Sequence, residues 1–84
     1  MKCCVLYFAR LRERFDLAEE SVELDNAPSV ADLITHLRAR GGVWLEELGQ
    51  GKHFRVAVNQ ELVQIDALIP DGAEVAIFPP VTGG

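Results

Sequence analysis

Val30, Leu33, Ile34 and Leu37 recur at i, i+3, i+4 and i+7, which puts a single apolar stripe along one face of a helix. A lone amphipathic helix cannot bury its stripe against itself; in a small domain it needs one face of a sheet. Ser29 is a favourable N-cap for this helix. Asp32, three residues on, makes a weaker relative of the capping box and suits the positive end of the helix dipole. Arg38 and Arg40 fall in the last turn and Gly41-Gly42 ends it. A second short helix follows over 43–48, with Trp44 and Leu48 one turn apart and Gly49 as its stop.

The strands that such a helix requires are present on both sides of it. Lys2–Ala9 is rich in Val, Leu, Tyr and Phe and is apolar on both alternating faces, Cys3/Val5/Tyr7 and Cys4/Leu6/Phe8. A strand without a polar face is usually central and covered on both sides, and here one cover is expected to come from another protein. The segment 10–17 reads as a charged connection holding one helical turn, and Ser21–Leu24 as a strand that returns beside the first. After the helices, 53–59 is a strand with Phe54, Val56 and Val58 on one face, Asn59-Gln60 a turn, and 62–65 a short strand. Pro70-Asp71-Gly72 is a turn, and 73–78 the final strand, with Val75 and Ile77 on one face and Ala76 and Phe78 on the other. The order β-β-α-(α)-β-β-β predicts an α+β chain of the β-grasp class. Five strands form a mixed sheet on one main helix and a short second one, with the last strand beside and parallel to a central first strand.

The chain has 84 residues, enough for one small domain spanning residues 1–78, with 79–84 as an extended tail. A net charge of -5 argues against nucleic acid, whose binding depends on neutralising phosphates, and suits a partner with a basic docking surface. Cys3 and Cys4 are adjacent, so in a strand they point to opposite faces and do not bridge; they read as small hydrophobes in a reducing compartment. No metal-ligand spacing occurs. The run 3–9 is too short for a membrane span and lacks a cleavage site, so a cytoplasmic location is expected. His36 and His53 are isolated, and Ser21 and Ser29 have no evident His or Asp partner. Glu19, Glu20, Glu23, Asp25 and the pair Glu46-Glu47 read as solvated surface, as does the basic cluster Arg10, Arg12, Arg14.

Chemistry is expected at the C-terminus instead. Pro79 cannot continue a ladder, and two prolines in a row favour a stiff polyproline stem. Val81 and Thr82 extend it, and Gly83-Gly84 makes a thin tip with a free carboxylate. Six extended residues reach roughly 20 Å. Such a tail suits entry into the narrow active site of another protein.

Three stretches carry a family resemblance: Val58-Asn59-Gln60; Asp71-Gly72 followed by Glu74-Val75-Ala76; and the ending Phe78-Pro79-Pro80-Val81-Thr82-Gly83-Gly84. They resemble the sulfur-carrier small subunits of molybdopterin synthases, a ubiquitin-like family. Val5-Leu6-Tyr7-Phe8-Ala9 and Arg12-Glu13 fit as well. The likeness runs along essentially the whole chain and is sharpest from 58 to 84; residues 11–25 and the helices match in pattern only, and Cys3-Cys4 is no part of it. The resemblance implies a ubiquitin-like fold and a Gly84 carboxylate that a ubiquitin-activating-type enzyme adenylates with ATP. A sulfur donor, either a sulfurtransferase or a cysteine desulfurase, would then make the thiocarboxylate. The tail would deliver its sulfur to a pterin precursor inside the large subunit, in a heterotetramer of two large and two small subunits. By this resemblance the small subunit is not catalytic alone and holds no metal or cofactor of its own.

Strand alternation adds the docking surface: with Val75 and Ile77 on the core face, Phe8 and Phe78 face away from the helix, and Leu62 joins them. These three, Arg12 and the stem residues Pro79, Pro80, Val81 and Thr82 are the expected partner contacts, with Gly83 and Gly84 as the reacting end. Two alternatives remain open: a related carrier serving thiamine synthesis, tRNA thiolation or protein modification, and a β-grasp interaction module with no chemistry at its terminus.

Overall fold

Alternation along the first strand decides where the sheet packs. In β1 (Lys2–Tyr7), Cys3, Val5 and Tyr7 are buried, whereas Cys4 and Leu6 are half-covered. The computed structural model describes residues 1–80. It continues with α1 (Ala9–Phe15), β2 (Glu19–Glu23), α2 (Val30–Arg38), α3 (Gly42–Leu48), β3 (Arg55–Val58), β4 (Glu61–Val63) and β5 (Glu74–Phe78). The five strands make one sheet in the order β2-β1-β5-β3-β4. β5 runs parallel to β1 and antiparallel to β3, and the two hairpins β1-β2 and β3-β4 are antiparallel. This is the β-grasp arrangement expected from the order of elements, with the first and last strands adjacent at the centre.

The stripe of α2 packs on one sheet face: Val30, Leu33, Ile34 and Leu37 are all buried, together with Val22, Val56, Val58, Val75 and Ile77. Burying an aliphatic side chain of this size contributes roughly 1.5–3 kcal/mol, so these residues dominate the fold's stability. The N-terminus of α2 carries the full capping box. Ser29 Oγ accepts from the Asp32 amide at 3.2 Å, and Asp32 Oδ2 accepts from the Ser29 amide at 2.8 Å. The next two free amides of this helix also find partners: Val30 N–H donates to the Ala67 carbonyl and Ala31 N–H to that of Ile65. That is why β4 is shorter than the expected 62–65. After Val63 the chain leaves the sheet to satisfy helix donors that would otherwise be orphaned. Asn59 and Gln60 both have positive φ, and the Asn59 side chain accepts from the Glu74 amide at 3.0 Å, pinning the β3-β4 turn to β5.

The expectation for residues 10–17 needs correction. They form a two-turn helix, α1, that buries Leu11 and Phe15 one turn apart. β1 stops at Tyr7 instead of running to Ala9, because Ala9 adopts φ 52° and turns the chain into α1. β2 begins at Glu19, two residues before the expected start, and β3 is trimmed to Arg55–Val58. Gly42 belongs to α3 rather than to the stop of α2. Gly49 does end α3, and no other residue fits there: a Cβ would lie 2.5 Å from the Leu45 carbonyl oxygen.

Aromatic packing fastens α1 and α3 to the end of β1. Phe15 stacks on Trp44 with centroids 3.8 Å apart, and the buried Tyr7 ring meets both edge-on. Glu20 is not free surface, as its charge suggested. Its Oε2 accepts from Tyr7 Oη at 2.6 Å and from Arg40 Nη1 at 2.7 Å, and its Oε1 accepts from Arg40 Nη2 at 2.9 Å. The Arg40 guanidinium also lies 4.4 Å from the Trp44 ring centre. Burial, reinforced by the Glu20 carboxylate, pushes the Tyr7 phenol far above its ordinary range, so it remains a hydrogen-bond donor.

Candidate functional site

The uncovered face of the sheet is apolar across its middle. Leu62 of β4, Ala57 of β3, Ala76 of β5 and Leu6 of β1 stand in register in one row. The two alanines make the row shallow at its centre, between leucines at either end. Leu62 is 68% exposed. Phe78 is the next outward residue of β5, opposite Arg55. Phe8 N–H donates to the Ile77 carbonyl at 3.2 Å, which extends the β1-β5 ladder by one residue and brings Phe8, 44% exposed, alongside Phe78. Phe8, Leu62 and Phe78 thus share this face. Glu19, Ser21 and Glu23 of β2 form its acidic rim. Arg12 lies on the exposed side of α1 and forms no ion pair among the described residues.

β5 is paired with β1 as far as Ile77 and with β3 as far as its last residue, Phe78, and passes directly into Pro79-Pro80. The two prolines are half-buried and line a groove of about 300 Å³. Arg10 and Leu11 of α1 form one wall; Glu47, Lys52 and His53 form the other. Glu47 is a second acid misread as solvated surface. It accepts from Arg10 Nε and Nη2 at 3.0 and 3.2 Å and from Arg14 Nε at 3.1 Å, while Arg14 Nη2 donates to Glu46 at 2.7 Å. The Arg10 guanidinium beside it, and then that of Arg14, hold the Glu47 carboxyl below the ordinary carboxylate range. The basic cluster is therefore largely neutralised. Glu47, Lys52 and His53 had not been assigned to the tail. The signal for the first lay in Arg10 and Arg14, four residues apart, which a helix places on one side facing a common anion.

Val81, Thr82, Gly83 and Gly84 lie outside the described residues. Among the described residues, no group of three or more His, Cys, Asp or Glu side chains stands ready to hold a metal ion, and no helix is long and apolar enough to cross a membrane. Cys3 and Cys4 are unbridged on opposite faces, Cys3 buried and Cys4 half-covered; burial raises both thiol pKa values, with Glu19 adding to the effect at Cys4.

The ThiS family profile matches residues 5–84, from the interior of β1 through the stem. The chain belongs to the ThiS family. Curated ThiS-like relatives agree along nearly the full length. The molybdopterin synthase sulfur carrier subunit of Escherichia coli strain K12 is 45% identical over 80 residues, covering 95% of this chain and 96% of that one. The protein of the same name from Haemophilus influenzae is 37% identical over 81 residues, with the same coverage of 95% and 96%. Among solved structures, a Pyrococcus furiosus protein assigned as molybdopterin converting factor, subunit 1, superposes with a TM-score of 0.83 at 35% identity, covering 96% of this chain and 99% of that one. The ThiS-family fold is thus the ubiquitin-like β-grasp.

Proposed function

We propose that this chain is the sulfur carrier subunit of a molybdopterin synthase, working in the cytoplasm. The observation that carries this reading is the course of β5: a strand locked on both sides runs without a break into a proline stem beside an open apolar face. The names of the full-length relatives support the same reading. The domain docks by its open face onto the large subunit, with Phe8, Leu62 and Phe78 as anchors and Arg12 at the margin. The stem Pro79-Pro80-Val81-Thr82 threads Gly83 and Gly84 into the partner's active site.

The chemistry follows from the terminal carboxyl. With an ordinary pKa near 3.3–3.7 it is ionised at neutral pH and is a poor electrophile. A ubiquitin-activating-type enzyme therefore transfers AMP from ATP to the Gly84 carboxylate, releasing pyrophosphate. The sulfur of a sulfurtransferase or cysteine desulfurase then attacks the acyl carbon and displaces AMP. The attacking atom is the terminal sulfur of a persulfide, so the product is an acyl disulfide; a second thiol then attacks the donor-side sulfur, forming a disulfide there and releasing the thiocarboxylate. The domain contributes docking and reach; ATP and the catalytic groups belong to its partners. Ordering the tail costs about 1–2 kcal/mol per residue, which contacts of the open face offset.

Intact mass spectrometry after incubation with ATP, the activating enzyme and a sulfur source tests the reading, since one oxygen is exchanged for sulfur. Deleting Gly84, extending the chain beyond it, or making Gly83→Val is expected to abolish adenylation or transfer while thermal stability stays unchanged. An extension moves the carboxyl by roughly 3.3–3.6 Å, and ~1 Å of misplacement can cost on the order of a hundredfold in rate. An extended chain that gains a thiocarboxylate without trimming and still makes molybdopterin at the normal rate would refute the proposal.

A further inference from the structure

A carrier tail needs a direction as well as a length, and the groove at the base of the stem supplies one. Its two walls come from elements distant in sequence, Arg10 on α1 and Glu47 near the end of α3. Glu47 joins them. Its carboxylate accepts both arms of the Arg10 fork and a third hydrogen bond from Arg14, and its side chain is only 11% exposed although that of Arg10 is 69% exposed. Surface ion pairs of this sort add little to stability. A two-armed guanidinium–carboxylate pair does fix geometry, because the planar fork admits one relative orientation. What this cluster fixes is the wall beside Pro79 and Pro80.

We propose that Glu47 is a positioning residue for the tail: by holding Arg10 and Arg14 it sets the groove wall beside Pro79 and Pro80, and so the direction in which that proline stem points. This rests on the carrier reading above. Leverage makes the role matter. Four residues follow Pro80 and span at most about 14 Å, so a pivot of about 5° at the stem moves the far end by about 1 Å. Displacement on that scale is enough to slow a reaction that needs near-attack geometry. The anchors Phe8, Leu62 and Phe78 stand on the open face of the sheet and are left intact.

The test uses the full-length chain as wild type, Glu47→Gln, Arg10→Gln and Ser29→Ala. The first two substitutions break the cluster without altering the core; the third removes the α2 cap and weakens the fold elsewhere. Two readouts are taken: amide dipolar couplings of Val81 and Thr82 in weakly aligned protein, and single-turnover sulfur transfer from the thiocarboxylated protein within the large-subunit complex. Glu47→Gln and Arg10→Gln are expected to change the couplings and to slow transfer at least about tenfold, with affinity for the large subunit within about threefold of wild type. Ser29→Ala should change neither readout. Unchanged couplings or an unchanged transfer rate in folded Glu47→Gln protein overturns the inference, as does an equal slowing in Ser29→Ala. Should the wild type gain no thiocarboxylate at all, the carrier reading falls, and the couplings alone then decide whether Glu47 directs the tail.

Discussion

Four consecutive residues of β5 belong to two different surfaces. Val75 and Ile77 are completely buried against the helices, whereas Ala76 and Phe78, on the same strand, are half-covered on the open side. The closed face is lined by branched aliphatics that interlock with Val5, Leu33 and Leu37. The open face has alanines in its middle and large apolar groups only at its margins. The contrast separates a packed side of the strand from an open one, one residue out of step; on the function proposed above, the first serves stability and the second recognition. Mutations at neighbouring positions therefore ought to have different kinds of effect.

The strongest test of that separation is Ile77→Ala. Removing buried methylenes from a packed core costs about 2–5 kcal/mol, and Tm should drop by at least about 10 °C in a domain of this size. Thermal unfolding that shows a loss below about 1 kcal/mol would mean that the closed face does not dominate stability. Phe78→Ala comes next and should behave oppositely. We expect stability to change by less than about 1 kcal/mol while affinity for the large subunit falls by at least about 1 kcal/mol, roughly fivefold. Calorimetry that finds normal affinity in the folded variant breaks the comparison from the other side.

The smallest effect concerns a charge on the closed side. Burial pushes the Glu20 carboxyl upward, but the hydrogen bonds from Arg40 and Tyr7 together outweigh it and leave the carboxyl below its ordinary value of 4.5. A depressed folded-state value means that the contribution is fully present above about pH 4.5 and is lost as pH falls through the lower folded-state value. Glu47 adds to the same acid-side loss. Tm measured against pH should be flat near neutrality and decline in that acidic window, and Glu20→Gln should make the decline shallower. An identical slope in the two proteins would show that the Glu20 cluster does not report on folding.

What could be read from the sequence was whatever leaves a local rhythm. The stripe of α2, the alternation of β5 and the Ser29 cap are written in spacings of two to four residues, and all three are found in the structure. α1 was legible only as one helical turn in a charged connection, because Leu11 and Phe15 alone mark its buried side among arginines, too few positions to establish a period. The acid clusters were missed for another reason. Glu20 meets Arg40 across 20 residues of sequence, and Glu47 meets Arg10 across 37, so no local window contains both partners. The groove at the stem was hidden with them, since its walls come together only once the sheet has closed.

The place of β5 has a consequence for how the protein is made. β5 is made after the other four strands of the described residues, yet it lies between β1 and β3, which do not pair with each other. Until it emerges, the nascent chain holds two separate hairpins with no ladder joining them. Folding must then wait on the parallel β1-β5 pairing, a contact that spans nearly the whole chain and is correspondingly slow to form. Synthesis that stops before β5 yields a chain unable to complete its sheet. The sheet is therefore completed only once β5 has been made.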